Sequence, residues 1–403
     1  MELFWLEHKK LWRKKIVKIC VFLCFVYYVI FGSILLFQWF GFGSSDDYTS
    51  AFGNNFDGYT VIKDSQEYAL SFGGELTDET LQKIVSDYQQ MEADGMEEEL
   101  EKTDWQIVNS WLGTLYPELR DTSNYKTMIS YVDPDKLTGF YERRQQVLDE
   151  FLEVSGQVGA EKEFLHQIER KVEKPFRYEW VEGWSTLLGS MVADLGVVMA
   201  LFLGIVLSSL FAGEWHDNTS ALVLTTRNGW GKIALAKILT GLAFTVELFA
   251  LLAVSNVISQ LFFMGTAGWD MPIQNIKLIA VAPMNMLQAE IYEYAFVLLG
   301  AIGFAGIVMF ISAAVKNNVL TLLLSLAVVY GPMMIAEYLP YGMQKALDLI
   351  PLVGSSTDIF RTNTFRIFGK LIWSPYLLIT IPVLIGILCM PFAIKSWSRR
   401  MKA

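Results

Sequence analysis

Residues Phe211–Lys237 read FAGEWHDNTSALVLTTRNGWGKIALAK, a polar and basic interruption between two long apolar runs. Flanked in this way, the strip is the turn of a membrane hairpin, and the chain around it repeats the pattern. A spanning helix needs roughly 20 mostly apolar residues. Six stretches meet that demand, at about 16–42, 184–211, 233–264, 291–315, 318–339 and 374–394. A composition with 53% hydrophobic and only 18% charged residues excludes an ordinary soluble enzyme. The first stretch lacks a small-residue cleavage site at its far end and is read as a span, not a cleaved leader.

Orientation follows from where Lys and Arg flank the spans. Lys9, Lys10, Arg13, Lys14, Lys15 and Lys18 surround the start of the first span. Arg227, Lys232 and Lys237 follow the second, Lys316 the fourth, and Lys395, Arg399, Arg400 and Lys402 the sixth. All fall on one side if both termini are cytoplasmic. Residues 43–183 hold 30 acidic against 13 basic residues, so they carry −17, while the whole chain carries −10 and the remainder therefore +7. An acidic domain outside and a basic remainder inside agree with that orientation and speak against nucleic acid as a partner.

The expected fold is mostly α: a polytopic membrane protein with six transmembrane helices and a large α-rich (α+β) extracellular domain, 43–183, between the first two. Residues 1–15 place Phe4, Trp5, Leu11 and Trp12 on one helical face and Lys10, Arg13 and Lys14 on the other. Such a helix either lies at the cytosolic interface or serves as a topogenic anchor. Within 43–183, strand-like runs at Tyr59–Ile62 and Tyr68–Phe72 precede helical periodicity. Thr77 caps a helix carrying Leu81, Ile84, Val85 and Tyr88. Trp105, Val108, Leu112 and Leu115 form a second helix ending near Pro117. Asp133-Pro134 starts a third with Tyr141, Leu148 and Leu152, and Phe164, Leu165 and Ile168 mark a fourth. The stretches 265–290 and 340–373 are apolar enough to re-enter the membrane, and Gly300, Gly303 and Gly306 form a ridge for close helix packing.

Chemistry-bearing residues are few. Cys20, Cys24 and Cys389 all lie in spans and read as small apolar side chains. His8, His166 and His216 are too scattered for a zinc motif, and no GxSxG elbow occurs. Gly229-Trp230-Gly231-Lys232-Ile233 and Gly369-Lys370-Leu371 lack the upstream glycine and following Ser/Thr of a Walker A loop. Asp194 and Glu247 lie inside spans, where a carboxylate costs roughly 2.5–3.5 kcal/mol. They either line an intramembrane transport cavity or capture a polar group on a neighbouring helix. Glu290, Glu293 and Glu337 lie near span ends, within expected reach of water.

The strip itself carries the functional signal. Glu214 stands where the second span ends, Asn218 and Thr219 start a short helix with Leu222 and Leu224, and Arg227 and Lys237 flank the return. In these residues, and in the six-span layout with an amphipathic N-terminal helix, the chain resembles the ABC-2 type permeases, the membrane subunits of ABC exporters. It departs from them at Asn218, where the family often has Gly; Asn is itself a good cap. The resemblance does not extend to residues 43–183.

It implies that residues 212–232 are a cytosolic coupling loop that docks on an ATP-binding cassette subunit present in two copies. It also implies a second permease, identical or paralogous, and ATP and magnesium held by the partner ATPase, with no cofactor in this chain. The expected activity is ATP-driven export from the plasma membrane of a hydrophobic or amphipathic substrate, an antimicrobial peptide being one candidate, in export or immunity. The alternative is a membrane-anchored sensor whose domain 43–183 binds a ligand.

Overall fold

In a computed structural model, residues 2–39, 66, 73–96, 105–121, 126–217, 219, 231–354 and 362–399 are described, and they are mostly helical. Helix α1 (Glu2–Arg13) breaks at Lys14 and is followed by α2 (Lys15–Trp39). The segment after α2 contributes a two-residue strand β1 (Gly74–Glu75), α3 (Asp78–Ala93), α4 (Trp105–Leu115), α5 (Phe140–Val154), α6 (Ala160–Glu169) and β2 (Arg177–Tyr178). The bundle then follows: α7 (Glu182–Thr186), α8 (Val192–His216), α9 (Lys232–Met264), α10 (Met286–Val315), α11 (Asn318–Ile335), α12 (Tyr341–Leu347), the hairpin β3 (Thr364–Ile367) and β4 (Lys370–Trp373), and α13 (Ser374–Arg399).

Among the described residues, five helical stretches are long and apolar enough to cross a membrane: Asp194–His216, Lys232–Met264, Met286–Val315, Asn318–Tyr338 and Ser374–Ser398. Their free faces are studded with exposed Ile258, Phe262, Leu323, Leu388 and Phe392. Side chains of that kind favour lipid over water. The chain is thus a multi-pass membrane protein in its coarse design. The first expected span, 16–42, falls on α2, 25 residues long, whose side chains are described as far as Tyr28. Val17, Cys20, Cys24 and Tyr28 recur at helical spacing and are buried, while Ile19, Phe22 and Leu23 are exposed.

Helix α10 is central, packing against α8, α9, α11 and α13. It begins five residues before its expected start, because Asn285 and Gln288 form a capping box: Gln288 N donates to Asn285 Oδ1 at 2.8 Å and Asn285 N donates to Gln288 Oε1 at 3.2 Å. The glycine ridge sets its contact with α13. A Cβ at Gly303 would sit 2.3 Å from the Pro382 carbonyl oxygen, and one at Gly306 2.7 Å from Gly386 Cα. Backbone meets backbone there, so no side chain fits. At the other end of α10 the turn through Lys316 (φ 60°) and Asn317 is as short as its sequence suggests, with Asn317 Oδ1 accepting from Leu320 N at 3.0 Å.

The segment between β1 and β2 builds its own core from Leu81, Val85, Trp111, Leu112, Ile129, Phe140 and Phe176. Thr77 caps α3 as expected, accepting from Thr80 N at 3.2 Å. The third helix corrects its expected start. Pro134 opens only a single 3-10 turn, and α5 begins at Phe140, after Gly139 at φ 71°. Its cap comes from another helix: Asp78 accepts from Gly139 N at 2.7 Å and from Phe140 N at 2.9 Å. The strand-like runs at 59–62 and 68–72 lie outside the described residues.

Residues 265–285 are apolar because protein covers them. Ile273, Ala280, Val281 and Ala282 are fully buried in one cluster with Leu148, Leu152 and Leu165 of α5 and α6. Arg144, also fully buried, donates from Nε to the Leu278 carbonyl at 2.7 Å and from Nη2 to that of Ala280 at 3.2 Å, while Nη1 reaches Glu169 at 2.5 Å. Trp111 donates to the Asn275 carbonyl at 3.0 Å, and Asn275 Nδ2 to the Arg177 carbonyl at 2.9 Å. The segment and the bundle are thereby joined by backbone-directed bonds, which cannot shift register without leaving buried carbonyls unpaired.

Candidate functional site

The polar strip opens at the end of α8, and Ser312 of α10 prepares that end. Its hydroxyl accepts from Phe211 N and Ala212 N at 3.1 Å each and donates to the Ser208 carbonyl at 2.7 Å. Below it, Phe211 and Trp215 pack on Trp397 of α13, and the Lys316 ammonium lies 4.3 Å from the centre of the Trp215 ring. The last turn of α8 is therefore clamped from two sides, and Glu214 projects from it at a defined place.

Glu214 is 4% exposed. Its Oε1 accepts from Lys237 Nζ of α9 at 2.8 Å and from Lys10 Nζ of α1 at 2.5 Å, and its Oε2 accepts from the Thr219 hydroxyl. Lys237, 2% exposed, also reaches Glu7 Oε2 at 2.8 Å, and Lys14 Nζ donates to Ser209 Oγ at 3.0 Å. Burial opposes the charge on Lys10, but Glu214, helped by Glu7 and Asp217, outweighs it and holds the lysine above its ordinary pKa. Lys14 goes the other way: burial lowers it, and Lys237 and Lys10 add to the drop. The three carboxylates Glu7, Glu214 and Asp217 balance the three lysines around one small cleft. A buried pair with its hydrogen bonds complete is rigid, and removing one member costs about 3–5 kcal/mol because the other stays buried and unpaired.

Through this carboxylate α1 is latched to both helices that flank the strip. Lys10, about half of it still open to solvent, and Lys14 reach across to α8, while Trp5 and Leu6 are exposed. A second latch lies along α9, where Trp12 Nε1 donates to Glu247 Oε2 at 3.0 Å and His8 Nε2 lies 3.2 Å from Glu247 Oε1.

Of the residues singled out in the strip, Glu214, Thr219 and Lys237 meet in one network. Asn218, Leu222, Leu224 and Arg227 lie outside the described residues. Asp194 and Glu247 have different surroundings. Glu247 is held by α1, and Asp194 acts electrostatically on Tyr27 and Tyr28 of α2. Glu290 and Glu293 correct an expectation: they are 3% and 0% exposed, not washed by water.

Sequence reasoning did not single out Glu7, Lys10 and Lys14 as partners of Glu214. The available signal was the i, i+3, i+7 spacing of Glu7, Lys10 and Lys14, which puts all three on one side of a helix. No family profile, curated protein or solved structure matches this chain, so the reading of the site rests on its own geometry and on the sequence resemblance.

Proposed function

We propose that this chain is the membrane subunit of an ATP-driven exporter of the ABC-2 permease kind, set in the plasma membrane with both termini in the cytoplasm and residues 43–183 outside. In this reading a separate ATP-binding subunit, in two copies, docks on residues 212–232 and supplies hydrolysis. A second permease, identical or paralogous, completes the pathway. The cargo is hydrophobic or amphipathic, an antimicrobial peptide being the candidate that the resemblance favours. The observation that carries the reading is the Glu214 carboxylate, buried and bound at once by α1 and α9 from its place at the end of α8. A push on the strip reaches three helices together through it, and rigid-body motion of packed helices is an established switching mode.

The test is to express the chain with its neighbouring genes and purify it in detergent. A Walker-containing partner should accompany it; its absence favours the sensor. Lys10→Met then separates latch from fold, since Glu214 keeps Lys237. The variant should be produced and bind the ATPase normally, while ATP hydrolysis by the complex falls at least about fivefold. Unaltered hydrolysis would count against transmission through α1.

A further inference from the structure

Near the start of α10 two carboxylates, Glu290 and Glu293, stand one turn apart with no access to solvent. None of their four oxygens has a hydrogen-bond partner among the described residues. Tyr294 acts on Glu290 and Glu290 on Glu293; no Lys, Arg or His acts on either among the described residues. On α9, Asn256 and Gln260, also one turn apart, are 1% and 0% exposed, and among the described residues both ends of both amides are unpartnered. Tyr294, one turn past Glu290, meets Phe249 of α9 edge-on at 6.1 Å, and its buried hydroxyl also has no hydrogen-bond partner among the described residues, though Glu290 and Asn256 are close enough to act on it. Tyr28 of α2 acts electrostatically on the same hydroxyl, and Asp194 of α8 acts in turn on Tyr28.

This arrangement is not a satisfied polar network. A bare carboxylate inside a packed bundle has lost its hydration, and a second one beside it adds repulsion. Residues of this kind persist in membrane helices where they pair or mark an ion or proton path. Among the described residues pairing is absent, and the buried amides, which have no charge to neutralise, offer carbonyl oxygens on the helix packed against α10. Carboxylate, amide and phenol oxygens together are a hard-cation donor set. Among the described residues no group of three acidic, His or Cys side chains is gathered, so the charge that usually fixes a divalent ion is missing.

We propose that Glu290 and Glu293, with Asn256, Gln260 and Tyr294, form a binding site between α9 and α10 for a small monovalent cation, sodium or a proton. The occupant supplies the positive charge that the protein withholds. The site stands whether or not the chain works with an ATPase.

The experiment uses the full chain in nanodiscs. Melting is followed as sodium chloride replaces choline chloride at constant ionic strength, and the infrared carboxyl band is followed as pH rises. A sodium site gives a saturable rise in melting temperature that is lost in Glu290→Gln and Glu293→Gln. A proton site is silent to sodium but shows a protonated-carboxyl band that bleaches reversibly with rising pH while the fold survives, and that the double Gln variant lacks. Neutral Gln mimics the occupied state, and the wild-type measurements are decisive even if a variant is poorly produced. A wild-type protein with neither sodium response nor titrating band overturns the proposal.

Discussion

Two sets of buried carboxylates lie near opposite ends of one bundle, separated along α10 by about 35 Å at the helical rise. Glu214 is surrounded by ammonium groups from two other helices and a hydroxyl, and its hydrogen-bonding capacity is used. Glu290 and Glu293 are as deeply buried and have no cation at all among the described residues. Both sites pay the desolvation of an acid; only the first recovers it from within the chain. A carboxylate with its counter-charges built in is a strut, and one without them is a receptor. That difference separates the end proposed to transmit force from the end proposed to bind an ion.

The largest test of this contrast is Lys237→Met. It strips Glu214 of its buried partner and should destabilise the purified protein by about 3–5 kcal/mol in a denaturation assay. Glu290→Gln removes a charge that has no partner and should cost nothing comparable. Equal losses at the two sites would break the distinction between strut and receptor.

A third buried acid sharpens it. Burial works against the charge on Glu169, but Lys174 and Arg144 outweigh it and hold its carboxyl below the ordinary value of 4.5. Because the folded pKa is the lower one, the stabilisation is present above about 4.5 and fades as pH falls through the folded value. Acid titration of stability should therefore show a loss below that point, and Glu169→Gln should flatten it while costing about 1–3 kcal/mol near neutrality. A variant with the wild-type acid profile would remove Glu169 from the class of struts.

The smallest effect belongs to Glu247, whose side chain is 44% exposed despite its contacts with His8 and Trp12. Trp12→Phe deletes the indole N–H and keeps the ring packing on Phe244, so the loss should stay under about 1 kcal/mol. A larger loss in the same denaturation assay would mean that exposure is a poor guide to which acids matter here.

Some of this was legible beforehand for local reasons. The Thr77 cap, the helix from Trp105 to Leu115 stopped by Pro117, and the short Lys316–Asn317 turn depend on residues within one or two turns of each other. The small-residue ridge at 300, 303 and 306 announced a close helix contact, though not that Gly386 and the Pro382 carbonyl would fill it. The start of α5 was misplaced because its cap, Asp78, lies 61 residues away in sequence from Gly139. Glu290 and Glu293 were expected in water because they stand near a span end; α10 is apolar all round, so its sequence has no polar stripe to show which of its faces meets protein.

The amino-acid sequence alone determined that the chain is built of long apolar helices with a polar, mostly helical insertion, because helix length, capping and hydrophobic run length are local properties. It also marked Glu214 as unusual, at the edge of an apolar run. Only the tertiary structure decided that Glu214 meets Lys10 and Lys237, that Arg144 grips the carbonyls of Leu278 and Ala280, and that Glu290 and Glu293 meet no cation among the described residues. The reason is physical: a helix that buries apolar residues on every side can be rotated without violating its own pattern, so which acid finds a counter-charge is settled by the packing of its neighbours.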